Sequence, residues 1–234
     1  MPDTNPTDRV LLITGASTGI GAATARAAAQ AGWRVALAAR SADKLEALVR
    51  EIGPERAAAF RCDVTDYEDQ ERLAAAVVER FGRIDAAFAN AGVGGEPGGF
   101  SGAPPESWRR IVEVNILGVA HTLRATLHHV KAARGHVLIT GSIAGRKTLP
   151  GSMYAASKWA VTAIGYNLRE ELAGTGVRVT LIEPGMVDTP FFDEAKPDAL
   201  RPDDIARAVV YALSQPPGVD VSELVILPVE KAAG

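Results

Sequence analysis

Short runs of aliphatic and β-branched residues alternate along this chain with longer stretches in which alanine and charged residues recur at helical spacing. The short runs predict strands over 10–14, 34–39, 57–62, 86–89, 135–140, 178–182 and 224–227. Between them the period predicts helices over 20–31, 42–52, 67–81, 106–131, 154–173 and 203–213. The strands are continuously apolar rather than alternating, as expected of strands buried on both faces. Strand and helix in strict succession then give an α/β architecture, a parallel sheet covered by helices on both sides. At 234 residues the chain can form a full core, and the pattern predicts a single domain over 9–234. Residues 1–8, polar with two prolines and no apolar signal core, read as a flexible N-terminal segment.

Two connections are longer than a compact α/β fold requires, and connections of that length are usually functional. The one over 92–105 contains Gly94, Gly95, Gly98, Gly99 and Gly102, with Phe100 as its large apolar group. The one over 185–202 carries Met186, Phe191 and Phe192, which an exposed loop has little reason to display, so it reads as a lid.

Composition narrows the partners. Hydrophobic residues make up 47% and charged residues 23%, an ordinary globular balance. The net charge of -3 comes with no basic stripe, so neither nucleic acid nor an anionic membrane is expected as a partner. No run approaches the roughly 20 apolar residues of a membrane span. Cys62 is the one cysteine, and with His121, His128, His129 and His136 it forms no recognisable metal-ligand pattern, so no metal is expected. These features suit a reducing, cytoplasmic setting.

The first predicted strand runs through Thr14-Gly15-Ala16-Ser17-Thr18-Gly19-Ile20-Gly21 into an alanine-rich helix. Glycines between a strand and a helix let backbone approach a pyrophosphate, and the helix N-terminus favours the anion. The spacing departs from G-x-G-x-x-G, since three residues separate Gly15 from Gly19. Where an NAD site of this class ends its second strand with an acid, this chain has Ala39 followed by Arg40. A guanidinium pairs with a 2′-phosphate that a carboxylate would repel, so NADP is expected over NAD. Asp63, after the third strand, fits either a bond to an adenine amino group or a cap on the following turn.

Tyr154 and Lys158 are four residues apart in a predicted helix and therefore share a face. An ammonium beside a phenol lowers its pKa toward the range in which it can act as acid and base. Ser142 follows the fifth strand, at the carboxyl edge where open α/β sheets bind ligands, and its hydroxyl can donate to a carbonyl oxygen. Asn115 interrupts the apolar series Ile111, Val112, Val114, Ile116 and Leu117. Taken singly, Ser142 also fits a turn serine and Asn115 a core amide bonded to backbone.

Together these residues resemble the classical short-chain dehydrogenase/reductase family. Its glycine motif matches 14–21, its Asn-Ala-Gly segment matches Asn90-Ala91-Gly92, and its catalytic Asn, Ser, Tyr and Lys match Asn115, Ser142, Tyr154 and Lys158. Its Pro-Gly motif matches Pro184-Gly185, and Thr189 resembles the residue that holds the nicotinamide carboxamide. The resemblance covers 10–228 and implies a single-domain, three-layer α/β/α Rossmann-like fold, doubly wound, with seven parallel strands in the order 3-2-1-4-5-6-7. It implies hydride exchange between NADPH and a small carbonyl or alcohol. In that scheme Tyr154 is the general acid, Ser142 orients the carbonyl, and Lys158 binds the nicotinamide ribose and tunes Tyr154. Asn115 holds a water that relays protons, and Asn90 supports the sheet. Gly15, Ser17, Thr18, Gly19, Ile20, Gly21, Arg40, Asp63, Val64, Asn90, Ala91 and Gly92 are expected along the cofactor, with Tyr154, Lys158, Pro184, Gly185, Val187 and Thr189. Gly94, Phe100, Ser142, Met186, Phe191 and Phe192 are expected around a neutral or apolar substrate.

A non-catalytic NADP-binding redox sensor is the competing reading, and it gives no reason to keep Tyr154, Lys158, Ser142 and Asn115 together. A sugar-nucleotide epimerase of the extended relatives would need a larger C-terminal substrate region. Apolar residues around much of the 154–173 helix, Trp159, Val161 and Ile164 among them, leave a face for a second copy, and the resemblance implies a homodimer or homotetramer.

Overall fold

The computed structural model describes residues 8–192 and 194–229. The N-terminal segment expected to be flexible therefore lies, apart from Asp8, outside the described residues. The seven strands are β1 (Val10–Thr14), β2 (Arg34–Ala39), β3 (Ala57–Arg61), β4 (Ala86–Ala89), β5 (His136–Thr140), β6 (Arg178–Pro184) and β7 (Glu223–Ile226). They form one parallel sheet in the order β3-β2-β1-β4-β5-β6-β7, as the resemblance implied.

Side chains alternate across a strand, and here both faces are apolar. Val10 and Leu12 of β1 enter one core, with Val77 and Phe81 of α3 (Tyr67–Phe81), Leu123 and Val130 of α6 (Gly118–Ala133), and Val161 and Leu168 of α7 (Met153–Glu171). Leu11 and Ile13 enter the other, with the alanines of α1 (Gly19–Gln30), Leu45 and Leu48 of α2 (Ala42–Ile52), and Ile205 and Val209 of α8 (Pro202–Ser214). Alanine dominates α1 because the helix lies close against the sheet and α8, and Ala25 and Ala28 are fully buried. The N-terminus of α7 is set by Ser152, whose Oγ accepts from Ala155 N at 3.0 Å, and this fixes the register of the two residues that matter most on that helix. No helix among the described residues is long and apolar enough to cross a membrane.

Two segments depart from the sequence pattern. The loop over 92–105 contains a single turn, α4 (Gly99–Gly102). The helix expected over 106–131 is three pieces: α5 (Pro105–Ile111), a widened π-helical segment (Val112–Leu117), and α6. Within the widened segment Asn115 is the buried residue. Its apolar neighbours carry the helical period, so the pattern hides the change of pitch. The amide needs polar partners off the helix, and the wider turn aims it at them.

Candidate functional site

The carboxyl ends of β1, β2, β4, β5 and β6 open into a cleft of about 400 Å³. At its floor, Asn90 braces three strands. Its Nδ2 donates to Thr14 O (3.0 Å) and Gly15 O (3.3 Å), and its Oδ1 accepts from Thr140 Oγ1 (3.0 Å). The Thr14 hydroxyl accepts from Asn90 N and Ala91 N, which ties the end of β4 to the glycine loop.

The glycines of that loop are needed for contact rather than for looseness. Gly15 has φ +66°, and a Cβ there would lie 2.8 Å from Ala91 Cα. A Cβ on Gly21 would fall 2.3 Å from Gly15 O, so any side chain would push α1 away from the loop. Gly21 accordingly does not line the cleft and acts by packing. No side chain caps α1, and its first turn holds no acid, so its amide groups are left free to meet an anion. Ser17, Thr18, Gly19 and Ile20 border the cleft there.

At one end the cleft is bordered by Ala39, exposed Arg40, Ser41, Asp63 and Val64. Asp63 Oδ1 accepts from Thr65 N (3.0 Å) and Thr65 Oγ1 (2.8 Å), capping the turn after β3, while the residue also lines the cleft. No carboxylate follows β2 at Ala39 to oppose Arg40. Opposite, Ala91, Gly92, Pro184, Gly185, Val187 and Thr189 also line the cleft. A backbone cradle, an uncapped helix start and a long polar-apolar channel fit a dinucleotide.

Ser142, Tyr154 and Lys158 meet in the middle of the cleft. Lys158 is buried and donates from Nζ to Thr140 O at 2.7 Å, with Nζ 5.8 Å from the Tyr154 ring centre. Burial pushes its ammonium down to about 8. Burial likewise holds the Tyr154 phenol above its ordinary value, while the Ser142 hydroxyl acts in the opposite sense. The Lys158 ammonium is turned to the Thr140 carbonyl, and burial is the larger influence on the Tyr154 phenol.

Asn115 is buried and does not line the cleft. Its Oδ1 accepts from Val93 N (2.8 Å), and its Nδ2 donates to Val93 O (3.0 Å) and Ser157 Oγ (3.1 Å). Ser157 Oγ in turn donates to Tyr154 O at 2.7 Å. The Asn115 side-chain amide is therefore committed to the protein, clamping the start of the 92–105 loop to α7. Thr140 and Ser157 were missed by the sequence reading. Each sits beside a residue it did select, and their contacts join segments far apart in sequence.

The residues expected around the substrate divide. Phe191 and Phe192 line the cleft, and Phe191 meets Tyr154 edge-on with ring centres 5.5 Å apart. Gly94 lies under Phe191, where a Cβ would come within 3.1 Å of the ring, but does not itself line the cleft. Phe100 stands away, 60% exposed and packed against Trp108, because α4 turns it outward. Met186 is also outside the lining, its backbone paired with Leu200.

Residues 9–200 match the family model for short chain dehydrogenases. An uncharacterized oxidoreductase of Staphylococcus haemolyticus is 40% identical over 226 residues, covering 94% of this chain and 97% of that protein. Among solved structures, an alcohol dehydrogenase from the archaeon Thermococcus sibiricus, complexed with 5-hydroxy-NADP, superposes with a TM-score of 0.88. It shares 37% identity and covers 94% of this chain and 97% of its own. A 3-ketoacyl-(acyl-carrier-protein) reductase from Brucella melitensis, complexed with NADH, gives a TM-score of 0.86 at 30% identity, with 93% and 96% covered. Sheet order, cleft and family match agree, and the chain belongs to the classical short-chain dehydrogenase/reductase family of oxidoreductases.

Proposed function

We propose that this oxidoreductase is an NADP-dependent carbonyl reductase or alcohol dehydrogenase acting on small, neutral carbonyl compounds and their alcohols. The observation that carries the reading is the meeting of Tyr154, Ser142 and buried Lys158 in one cleft. NADP as the preferred cofactor rests on Arg40 at a cleft end where β2 supplies Ala39 instead of an acid. Bound, a reduced nicotinamide supplies a hydride to the carbonyl carbon.

The chain's own residues do the rest. Ser142 donates a hydrogen bond to the carbonyl oxygen, and Tyr154, held protonated at neutral pH by burial, delivers its proton to that oxygen. Lys158, charged below about 8, stabilises the phenolate left behind and donates to ribose hydroxyls while Thr140 O holds its amine in place. Gly15, Ser17, Thr18, Gly19 and Ile20 would cradle the phosphates of a bound dinucleotide, and Thr189 would hold its carboxamide. The Asn115–Ser157 clamp keeps α7, and so Tyr154, in register with the loop after β4. Phe191 against Tyr154 favours an apolar substrate group over a charged one. Trp159, half exposed on α7, supports assembly into a homo-oligomer, which sedimentation would measure.

A panel of aldehydes and ketones, followed by NADPH and NADH absorbance, tests the reading. Turnover is expected with NADPH, and Tyr154→Phe is expected to lose about 10²- to 10⁴-fold in kcat with cofactor affinity retained. Undiminished turnover in that variant would sink the assignment of the acid.

A further inference from the structure

Behind the turn that carries Ser142 lies a charged cluster with no part in cofactor or substrate contact. Glu183, on β6 immediately before Pro184-Gly185, is fully buried. Its Oε2 accepts from Arg146 Nε at 2.5 Å, and its Oε1 accepts from Thr162 Oγ1 at 3.2 Å. Arg146 continues outward, donating to Tyr166 OH at 3.0 Å and pairing with Glu223 of β7. One guanidinium thus joins the loop after β5 to β6, α7 and β7, and the two carboxylates and Tyr166 raise its pKa further.

The turn between Ser142 and Arg146 is pinned at both ends to this cluster. A Cβ on Gly141 would come within 3.0 Å of Glu183 Cγ, so the residue before Ser142 rests on the Glu183 side chain. A Cβ on Gly145 would lie 2.6 Å from Lys158 O, so the residue before Arg146 rests on the α7 backbone. Thr162 closes the ring, since its hydroxyl also lies within 3.1 Å of Lys158 O. Glu183 is buried while Arg146 is partly exposed, and burying a carboxylate for such a pair is seldom more stabilising than apolar packing of similar volume, so stability alone gives little reason for a charge in this place.

Resting on the carbonyl-reductase reading above, we propose that Arg146 and Glu183 are positioning residues. Their ion pair sets the Ser142–Arg146 turn against β6 and α7, and so places the Ser142 hydroxyl relative to Tyr154 and Lys158. Neither touches the substrate. Their effect is on the placement of a hydrogen-bond donor, where an error of about 1 Å can cost on the order of 10²-fold in rate.

The test is the double variant Arg146→Met/Glu183→Leu, which removes both charges together, compared with wild type and with Arg146→Lys. The expected result is a folded protein whose KM for NADPH is within about twofold of wild type and whose kcat is about 10- to 100-fold lower. Arg146→Lys keeps a charge but cannot bridge the same partners, so it should recover part of the kcat. In a crystal structure of the double variant the turn should be displaced by about 1 Å at Ser142 Oγ. An unmoved turn overturns the inference whatever the activity, and so does a folded double variant with wild-type kcat. Should the double variant not fold, Glu223→Gln is read instead: a roughly threefold loss of kcat at unchanged KM for NADPH supports the inference, and unchanged kcat overturns it. Wild type that reduces no carbonyl in the panel fails the carbonyl-reductase reading, while the crystallographic outcome still decides the positioning of Ser142.

Discussion

At the dinucleotide end of the cleft the shape is made by backbone against backbone: Gly15 on Ala91, Gly21 on Gly15, and an uncapped α1 aimed across them. At the substrate end it is made by side chains, with Phe191 leaning on Tyr154 and Phe192 and seated over Gly94. Backbone contacts leave few residue choices, because any Cβ at 2.3 Å from a carbonyl oxygen forces the chain apart. Aromatic contacts can be remade with other side chains at modest cost. The first end therefore specifies a class of cofactor, while the second can vary its substrate without disturbing the fold.

The strongest test of that contrast is Gly21→Ala. One methyl group must displace either the glycine loop or α1, and overpacking of this kind costs about 3 kcal/mol. Chemical denaturation should show that loss, and dinucleotide affinity should fall with it because the same loop forms the cradle. An alanine variant with wild-type stability and affinity would mean that the backbone at this end is adaptable after all.

Lys158 marks the boundary between the two ends, and its burial gives a second, pH-dependent test. Its pKa is about 8 in the folded protein and near 10.5 when exposed, so between those values the unfolded chain holds more protons than the folded one. Stability therefore rises with pH across that window. Below about 8 the full cost of the buried charge is present, and by pH 10.5 most of it has gone. The interval corresponds to about 3 kcal/mol. Measured against Lys158→Met, which has no such titration, wild type should gain that amount on going from neutral pH to above 10.5. Parallel stability curves for the two proteins would place the amine in water rather than in the core.

These contrasts also explain what was legible in the sequence. All seven strands and their order followed from continuous apolar runs and from the resemblance. The glycine loop could be read because its constraint lies in the residues themselves. The π-helical segment around Asn115 could not, since Val112, Val114 and Ile116 keep an ordinary helical pattern while the pitch changes beneath it. Ser157 and Thr140 escaped because a hydroxyl or a carbonyl acquires its role only when a distant segment arrives, here Asn115 and Lys158. Arg146 and Glu183, 37 residues apart in sequence, became a pair only through the pairing of β5 with β6. Phe100 was misplaced for a related reason: aromatic character marked it as pocket-forming, and the single turn of α4 faced it outward.

Arg40 tests the dinucleotide end more gently. Its side chain is exposed, so the attraction proposed for a 2′-phosphate is screened by solvent and salt. Arg40→Asp exchanges that attraction for repulsion, and the ratio of kcat/KM for NADPH to that for NADH should fall by about 10- to 100-fold. The wild-type ratio should itself decline as ionic strength rises, and the variant's should not. An unaltered ratio would leave cofactor choice to Ser41 and the backbone around it.

At the substrate end the smallest effect is expected, and it separates the two halves most directly. Phe191→Ala removes a ring from beside Tyr154 and opens space above Gly94. Contacts of this size discriminate between neutral substrates by about 1–2 kcal/mol, so bulky aryl ketones should gain roughly tenfold in kcat/KM relative to short aliphatic ones. With less burial the Tyr154 pKa should move down toward its ordinary value, shifting the alkaline limb of carbonyl reduction to lower pH. Gly94→Ala should act in the same direction, because a methyl group there would come within 3.1 Å of the Phe191 ring and displace it from its seat. Neither variant should alter NADPH affinity, since neither removes a group from the glycine loop or the turn after β3, and the Phe191 N–H that meets Thr189 is backbone. If the two variants change the substrate ratio in opposite directions, Phe191 is not the wall of the pocket. A fall in NADPH affinity in either would show that the two ends are mechanically coupled.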